Sequence, residues 1–115
     1  MSIKVFDQTY EALSRALDLR TENQTVIASN IANADTPGYK TQDIDFQTEL
    51  QNASLGVPSP VEVRGLVVRN DGNNVSIDRE ARLLSENALR FSIASSLMRD
   101  QIKSVKQAIE EGKSA

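Results

Sequence analysis

The sequence predicts a mainly α protein in which two long terminal helices form a coiled-coil-like pair around a small irregular or β-hairpin segment. Two heptad seams near the ends of the chain and a cluster of turn residues between them carry that prediction. At 115 residues there is room for one domain, and five aromatic residues with 39% hydrophobic content make a thin globular core. Residues 1–33 and 78–115 are expected to be the helices, and 34–77 a linker with a turn, an extended stretch and a hairpin.

In the first helix, expected over about Asp7–Asn33, Phe6, Tyr10, Leu13, Leu17, Arg20, Gln24, Ile27 and Ile31 alternate at steps of four and three. That is a heptad seam with a polar centre at Arg20, Asn23 and Gln24. The centre reads equally as a device that fixes register and as a solvated break between two apolar patches. Pro37 biases Thr36 away from helix, and Pro37-Gly38 suits the middle of a type II turn, so the chain is expected to turn at Thr36–Tyr39.

Beyond the turn, Val57-Pro58-Ser59-Pro60 reads as an extended linker. Val61–Arg69 reads as a short strand interrupted at Gly65, which Asp71-Gly72 turns back against Asn73–Ile77. The last helix carries a second seam through Ile77, Ala81, Leu84, Ala88, Phe91, Ser95, Met98, Ile102, Val105 and Ile109. Leu83, Leu89, Ile93, Ala94 and Leu97 widen that stripe, which implies more than one neighbouring helix. Ser76 or Asp78 suits its N-cap, and Gly112 with Lys113 suits its end. Seams of this length on a thin core are expected to be completed by other subunits.

Several chemistries lack their parts. The chain has no Cys and no His, which removes thiolate ligands, disulfides and the commonest general base. Its net charge of −3 includes no basic stripe of the kind that attracts phosphate backbones, so neither nucleic acid nor a small-molecule substrate is an expected partner. Asp35, Asp43 and Asp45 form the nearest approach to an acidic cluster, and on a loop without a cleft they read as solvated charges. No cofactor, metal or catalytic site is expected, and the chain is not expected to be an enzyme. Met1–Tyr10 has no basic start, apolar run or small-residue cleavage site, so no cleaved secretory signal is expected.

The stretch Ile27-Ala28-Ser29-Asn30-Ile31-Ala32-Asn33-Ala34-Asp35-Thr36-Pro37-Gly38-Tyr39-Lys40 resembles the N-terminal signature of the flagellar rod and hook axial proteins. Its family residues are Asn30, Ile31, Ala32, Asn33, Thr36, Pro37, Gly38 and Tyr39. Physically, small Ala28, Ser29 and Ala32 permit close helix approach, and Asn30 and Asn33 bond neighbouring backbone. Asp43-Ile44-Asp45-Phe46, Leu50, and the run Asp71–Glu80 leading through Ser85–Phe91 look like the proximal-rod branch of that family. The stretch from about Gln51 to Pro60 looks short for it.

The resemblance implies a structural subunit of the proximal rod, part of the motor drive shaft beside the membrane ring and export gate. Such a subunit is needed for flagellum assembly and motility. It implies helical assembly in the basal body's periplasmic rod with copies of itself, FlgC-type rod subunits and a FliE-type adaptor at the ring. It also implies passage through the flagellar type III export apparatus without cleavage. Phe6 and Tyr10 have the spacing of the export-gate element of some rod and hook subunits, and packing in the seam is their other use. A discrete coiled-coil adaptor would account for the heptads alone, but not for the Asn-Ile-Ala-Asn to Pro-Gly-Tyr string.

Overall fold

The computed structural model describes residues 3–52 and 58–114. Two long helices dominate it: α1 spans Ile3–Ala32 and α3 spans Ile77–Ser114. Between them come strand β1 (Gln42–Asp43), a six-residue helix α2 (Phe46–Gln51) and strand β2 (Val61–Glu62). α1 packs on α3, on β1 and on α2. The helices run antiparallel, since Asn30 bonds Glu80 while Asn23, one heptad earlier, bonds Asn87, one heptad later. The molecule is long, 71 × 25 × 18 Å with a radius of gyration of 18.9 Å, against about 13 Å for a compact chain of this size.

Four sequence expectations are corrected. α1 starts at Ile3 instead of Asp7, and its first turn contains no acidic residue. Helix continues through Gly112, which has no positive φ, so Gly112 and Lys113 do not end α3. The stretch from Asp45 to Gln51 is a helix, capped where the Asp45 side chain accepts from the Thr48 backbone N–H at 3.3 Å.

Fourth, Val61–Arg69 forms no strand ladder with Asn73–Ile77; the two stretches share one backbone bond at the turn, from the Arg69 N–H to the Asn73 carbonyl at 2.8 Å. Val61–Glu62 pairs antiparallel with Gln42–Asp43 instead, and Gly65 at φ +81° ends the extended run. Asp71-Gly72 does form a turn, with the Gly72 N–H donating to the Arg69 carbonyl at 2.9 Å. The Asn73 and Asn74 side chains then bind elsewhere and take the place of a ladder. Of the Val57–Pro60 linker, Val57 lies outside the described residues, and 58–60 lie in no helix or strand.

Other expectations hold. Tyr39 N–H donates to the Thr36 carbonyl at 3.2 Å, with Gly38 at φ +76°, which is the type II turn. At the start of α3, Ser76 Oγ accepts from the Arg79 N–H at 3.3 Å, so Ser76 is the cap and Asp78 lies inside the first turn.

The apolar core is small and sits where α1 meets the β1–α2 strap. Leu19, Val26 and Ile44 form it, with half-buried Phe46 against them. Leu19 and Ile27 are fully buried, each worth about 1.5–3 kcal/mol. Among the described residues the buried side chains number six apolar (Leu19, Val26, Ile27, Ile44, Pro58, Val75) and six polar (Asn30, Thr41, Asn73, Asn74, Glu80, Asn87). Hydrogen bonds therefore carry an unusual share of this junction's order.

Candidate functional site

Asn30 is the hub of the junction between α1, β1 and α3. Its amide NH2 donates to the Gln42 carbonyl at 2.8 Å and to Glu80 Oε2 at 3.1 Å. Its amide oxygen accepts from the Tyr39 hydroxyl at 2.9 Å and the Gln42 N–H at 3.1 Å. All four bonding positions of a fully buried amide are thereby filled, which is what burial of such a group requires. Arg79 completes the cluster by bonding Asp43 at 2.6 Å and Glu80 at 2.7 Å. Burial alone would lower the Arg79 guanidinium pKa, but the bonds to Asp43 and Glu80 outweigh it and raise the pKa above the ordinary value.

A second knot closes the end of α1. The Asn73 NH2 donates to the Asn33 and Thr36 carbonyls at 2.8 and 2.9 Å, and its Oδ1 accepts from the Val75 N–H at 2.8 Å. Asn74 Oδ1 accepts from both the N–H and the hydroxyl of Thr41. Gly38 N–H donates to the Asp71 carbonyl at 2.9 Å, and Arg69 reaches the Val75 and Ala34 carbonyls while Lys40 reaches that of Gly72. At this crossing Gly72 has φ +84°, and a Cβ there would lie 3.3 Å from Gly38 Cα. Two glycines facing each other let the 33–41 and 69–76 segments touch.

The polar centre of the first seam forms a third layer. Asn87, nearly fully buried on α3, donates to the Arg20 carbonyl at 2.9 Å and Gln24 Oε1 at 3.2 Å, and accepts from Asn23 at 3.0 Å. Arg20 lies over the Phe46 ring, 3.7 Å from its centroid. Burial, and then the nearby Arg90, lower the Arg20 pKa, with Glu86 opposing. Arg20, Asn23 and Gln24 thus all bond Asn87 across the helical pair, one heptad from the Asn30–Glu80 layer.

The signature residues fall into two groups. Asn30, Asn33, Thr36, Gly38 and Tyr39 build the knots, with Asn33 Nδ2 on the Ser29 carbonyl and Thr36 Oγ1 on Asn33 Oδ1. Ile31, Ala32 and Pro37 are exposed. Of the seam residues, Ile27 is buried and Phe6, Leu13, Leu17, Leu84, Met98 and Val105 are half-buried; Tyr10, Ile31, Ala88, Phe91 and Ile102 are exposed. Phe6 and Tyr10 stack tilted, with centroids 5.9 Å apart. The deepest burial on α1 lies at Leu19, Val26, Ile27 and Asn30, with Asn23 half-buried beside them. Hydropathy alone passes over Asn23, Asn30, Asn87 and Glu80.

α3 also keeps an open apolar face. Leu89, Ile93 and Leu97 are 62%, 52% and 52% exposed, with Phe91, Ile102 and Ile109 also exposed. Beside the Asn87 layer a groove of about 450 Å³ is lined by Arg20, Gln24, Ala88 and Phe91. Of the expected acidic cluster, Asp43 pairs with Arg79 and Asp45 caps α2. Among the described residues no three His, Cys, Asp or Glu side chains are placed to hold a metal, and no helix is long and apolar enough to cross a membrane.

A sequence model of the family described as flagella basal body rod protein matches residues 11–40, the span that holds the polar centre and the signature. The flagellar basal body rod protein FlgB of Escherichia coli strain K12 is 32% identical, over 84% of this chain and 89% of its own. That of Salmonella typhimurium is 30% identical over the same shares, and that of Borrelia hermsii 29% over 94% of this chain and 100% of its own. The first alignment runs over 123 positions but covers 84% of 115 residues, about 97, so that relative carries extra residues within the matched span. On these matches the chain belongs to the FlgB family of flagellar basal body rod proteins.

Proposed function

We propose that this chain is a structural subunit of the basal-body rod that polymerises through its two terminal helices. One observation carries the reading at residue level: a stiff antiparallel pair whose junction is locked by hydrogen bonds, yet whose longer helix leaves Leu89, Phe91, Ile93, Leu97 and Ile102 exposed. A subunit finished on its own would bury such a stripe, whereas one built to be packed on several sides keeps it for neighbours. The seam residues Tyr10, Ile31, Ala88 and Phe91 are exposed as well. The signature's buried Asn30 and half-buried Asn33 fix the angle at which the chain leaves the helical pair, and so where its middle segment sits in an assembly.

In finer terms the subunit belongs to the proximal, periplasmic part of the rod. It meets FlgC-type subunits, a FliE-type adaptor and the membrane ring, and leaves the cytoplasm uncleaved through the type III export apparatus. Phe6 and Tyr10 engage the export gate before they pack. Its role is mechanical, not catalytic. Deleting the chain is expected to leave cells with membrane rings, no rod and no motility, and restoring it in trans to recover all three. Rings that carry a normal rod in its absence would sink the reading.

A further inference from the structure

Each long helix carries one face on which exposed charges of a single sign recur. On α1, exposed Asp7, Glu11 and Asp18 recur at steps of four and seven, which places them on one face, with half-buried Glu22 at its inner edge. The exposed three lie on average about a third of a turn from Leu19, Asn23, Val26 and Asn30, which point into the molecule. On α3, Arg99, Lys103 and Lys106 recur at steps of four and three, likewise more than a quarter-turn from inward-facing Glu80, Asn87 and Met98. With Ile102 these three line a shallow groove of about 280 Å³. Among the described residues none of the four carboxylates and none of the three cations is in an ion pair; Arg99 bonds the hydroxyls of Ser95 and Ser96. Lys4, one turn before Asp7, and Glu110, one turn after Lys106, bound the two stripes with the opposite sign.

Both stripes lie toward the terminal end of the helical pair, on faces that cannot meet within one molecule. We infer that the acidic face of α1 in one copy docks on the basic face of α3 in a second copy, a refinement that rests on the rod-subunit reading above. Charges recur at four residues in each stripe, about 6 Å along a helix, so two opposite pairs come into register whichever way the helices run. Parallel helices would oppose Arg99 to Asp7 and Lys103 to Glu11; antiparallel ones, Arg99 to Glu11 and Lys103 to Asp7. Exposed pairs contribute little affinity singly, so the stripes select the partner face while neighbouring Ile102 and Ile109 supply apolar contact. Each copy offers one face of each sign, so the contact is head-to-tail and open-ended, as an extending assembly requires.

Sedimentation of the full-length chain tests this with two variants, Arg99→Glu/Lys103→Glu and Asp7→Lys/Glu11→Lys. All four positions lie on solvent-facing helix surfaces, and circular dichroism checks that helix content is kept. Each variant alone is expected to lose self-association about tenfold or more, because its two faces now repel. A mixture of the two regains it, since both contacts in an alternating array are again opposite in sign. Wild-type association weakens as salt rises from about 50 to about 500 mM. The inference is overturned by either variant associating like wild type, by a mixture that fails to recover, or by a wild-type chain that does not self-associate at low salt. If the stripe variants associate normally while deletion still removes the rod, the docking is wrong and the rod reading stands.

Discussion

Replacing Asn30 with Ala strips the junction of its hub. Four hydrogen bonds disappear, and with them the partners of the Gln42 N–H and the Gln42 carbonyl. Tyr39 retains a contact to Ser29 Oγ at 3.4 Å and Glu80 retains Arg79, so two groups are stranded instead of four. At about 1–3 kcal/mol per stranded buried group the loss is about 2–6 kcal/mol. Higher helix propensity of Ala returns only about 0.5 kcal/mol. Urea unfolding followed by helical circular dichroism reads the result as a midpoint lowered by at least about 0.5 M, taking a slope of about 1–3 kcal/mol/M. Asn30→Asp preserves the shape but sets a carboxylate against Glu80, and is expected to cost more than Ala. A loss below about 1 kcal/mol for Asn30→Ala would refute the view that buried hydrogen bonds hold this junction.

Two further substitutions test the same junction. Gly72→Ala meets both a positive φ and the Gly38 backbone, while Gly65→Ala at a similar φ meets open space; thermal unfolding should fall further for Gly72, by about 2 kcal/mol against about 1, and equal losses would remove the Gly38 contact from the account. Arg79→Met leaves the fully buried Glu80 carboxylate with Asn30 as its remaining partner, and a loss of about 3 kcal/mol is expected in urea; a neutral result would show that the Arg79–Glu80 bond does not stabilise the junction.

The large elements were legible because each has a local cause. Alternating four-three spacing announces the helices, Pro37-Gly38 announces the turn and Ser76 the cap. What stayed hidden is non-local or polar. A seam traced through apolar residues runs by way of Tyr10 and Ile31, both exposed, because the inward face spends positions on Asn23 and Asn30, which hydropathy reads as outward. Val61–Arg69 looks ready to pair with the segment after Asp71-Gly72. Yet the Asn73 and Asn74 side chains bind the backbone of 33–41, and Val61–Glu62 is left to β1. α2 was missed since six residues are too few for a periodic pattern, although Asp45 three residues before Thr48 was a readable cap.

The central claim, that the open face of α3 is covered in an assembled rod, is tested most directly by cysteine accessibility. The chain has no native Cys, so one introduced at a time reports a single site. Ile93→Cys, on the open face, and Val67→Cys, on the middle segment and 87% exposed, should both react with maleimide in the isolated chain. In purified basal bodies the account predicts that Val67→Cys still reacts while Ile93→Cys is protected at least about tenfold. Equal labelling of Ile93→Cys in the isolated chain and in the basal body would contradict it.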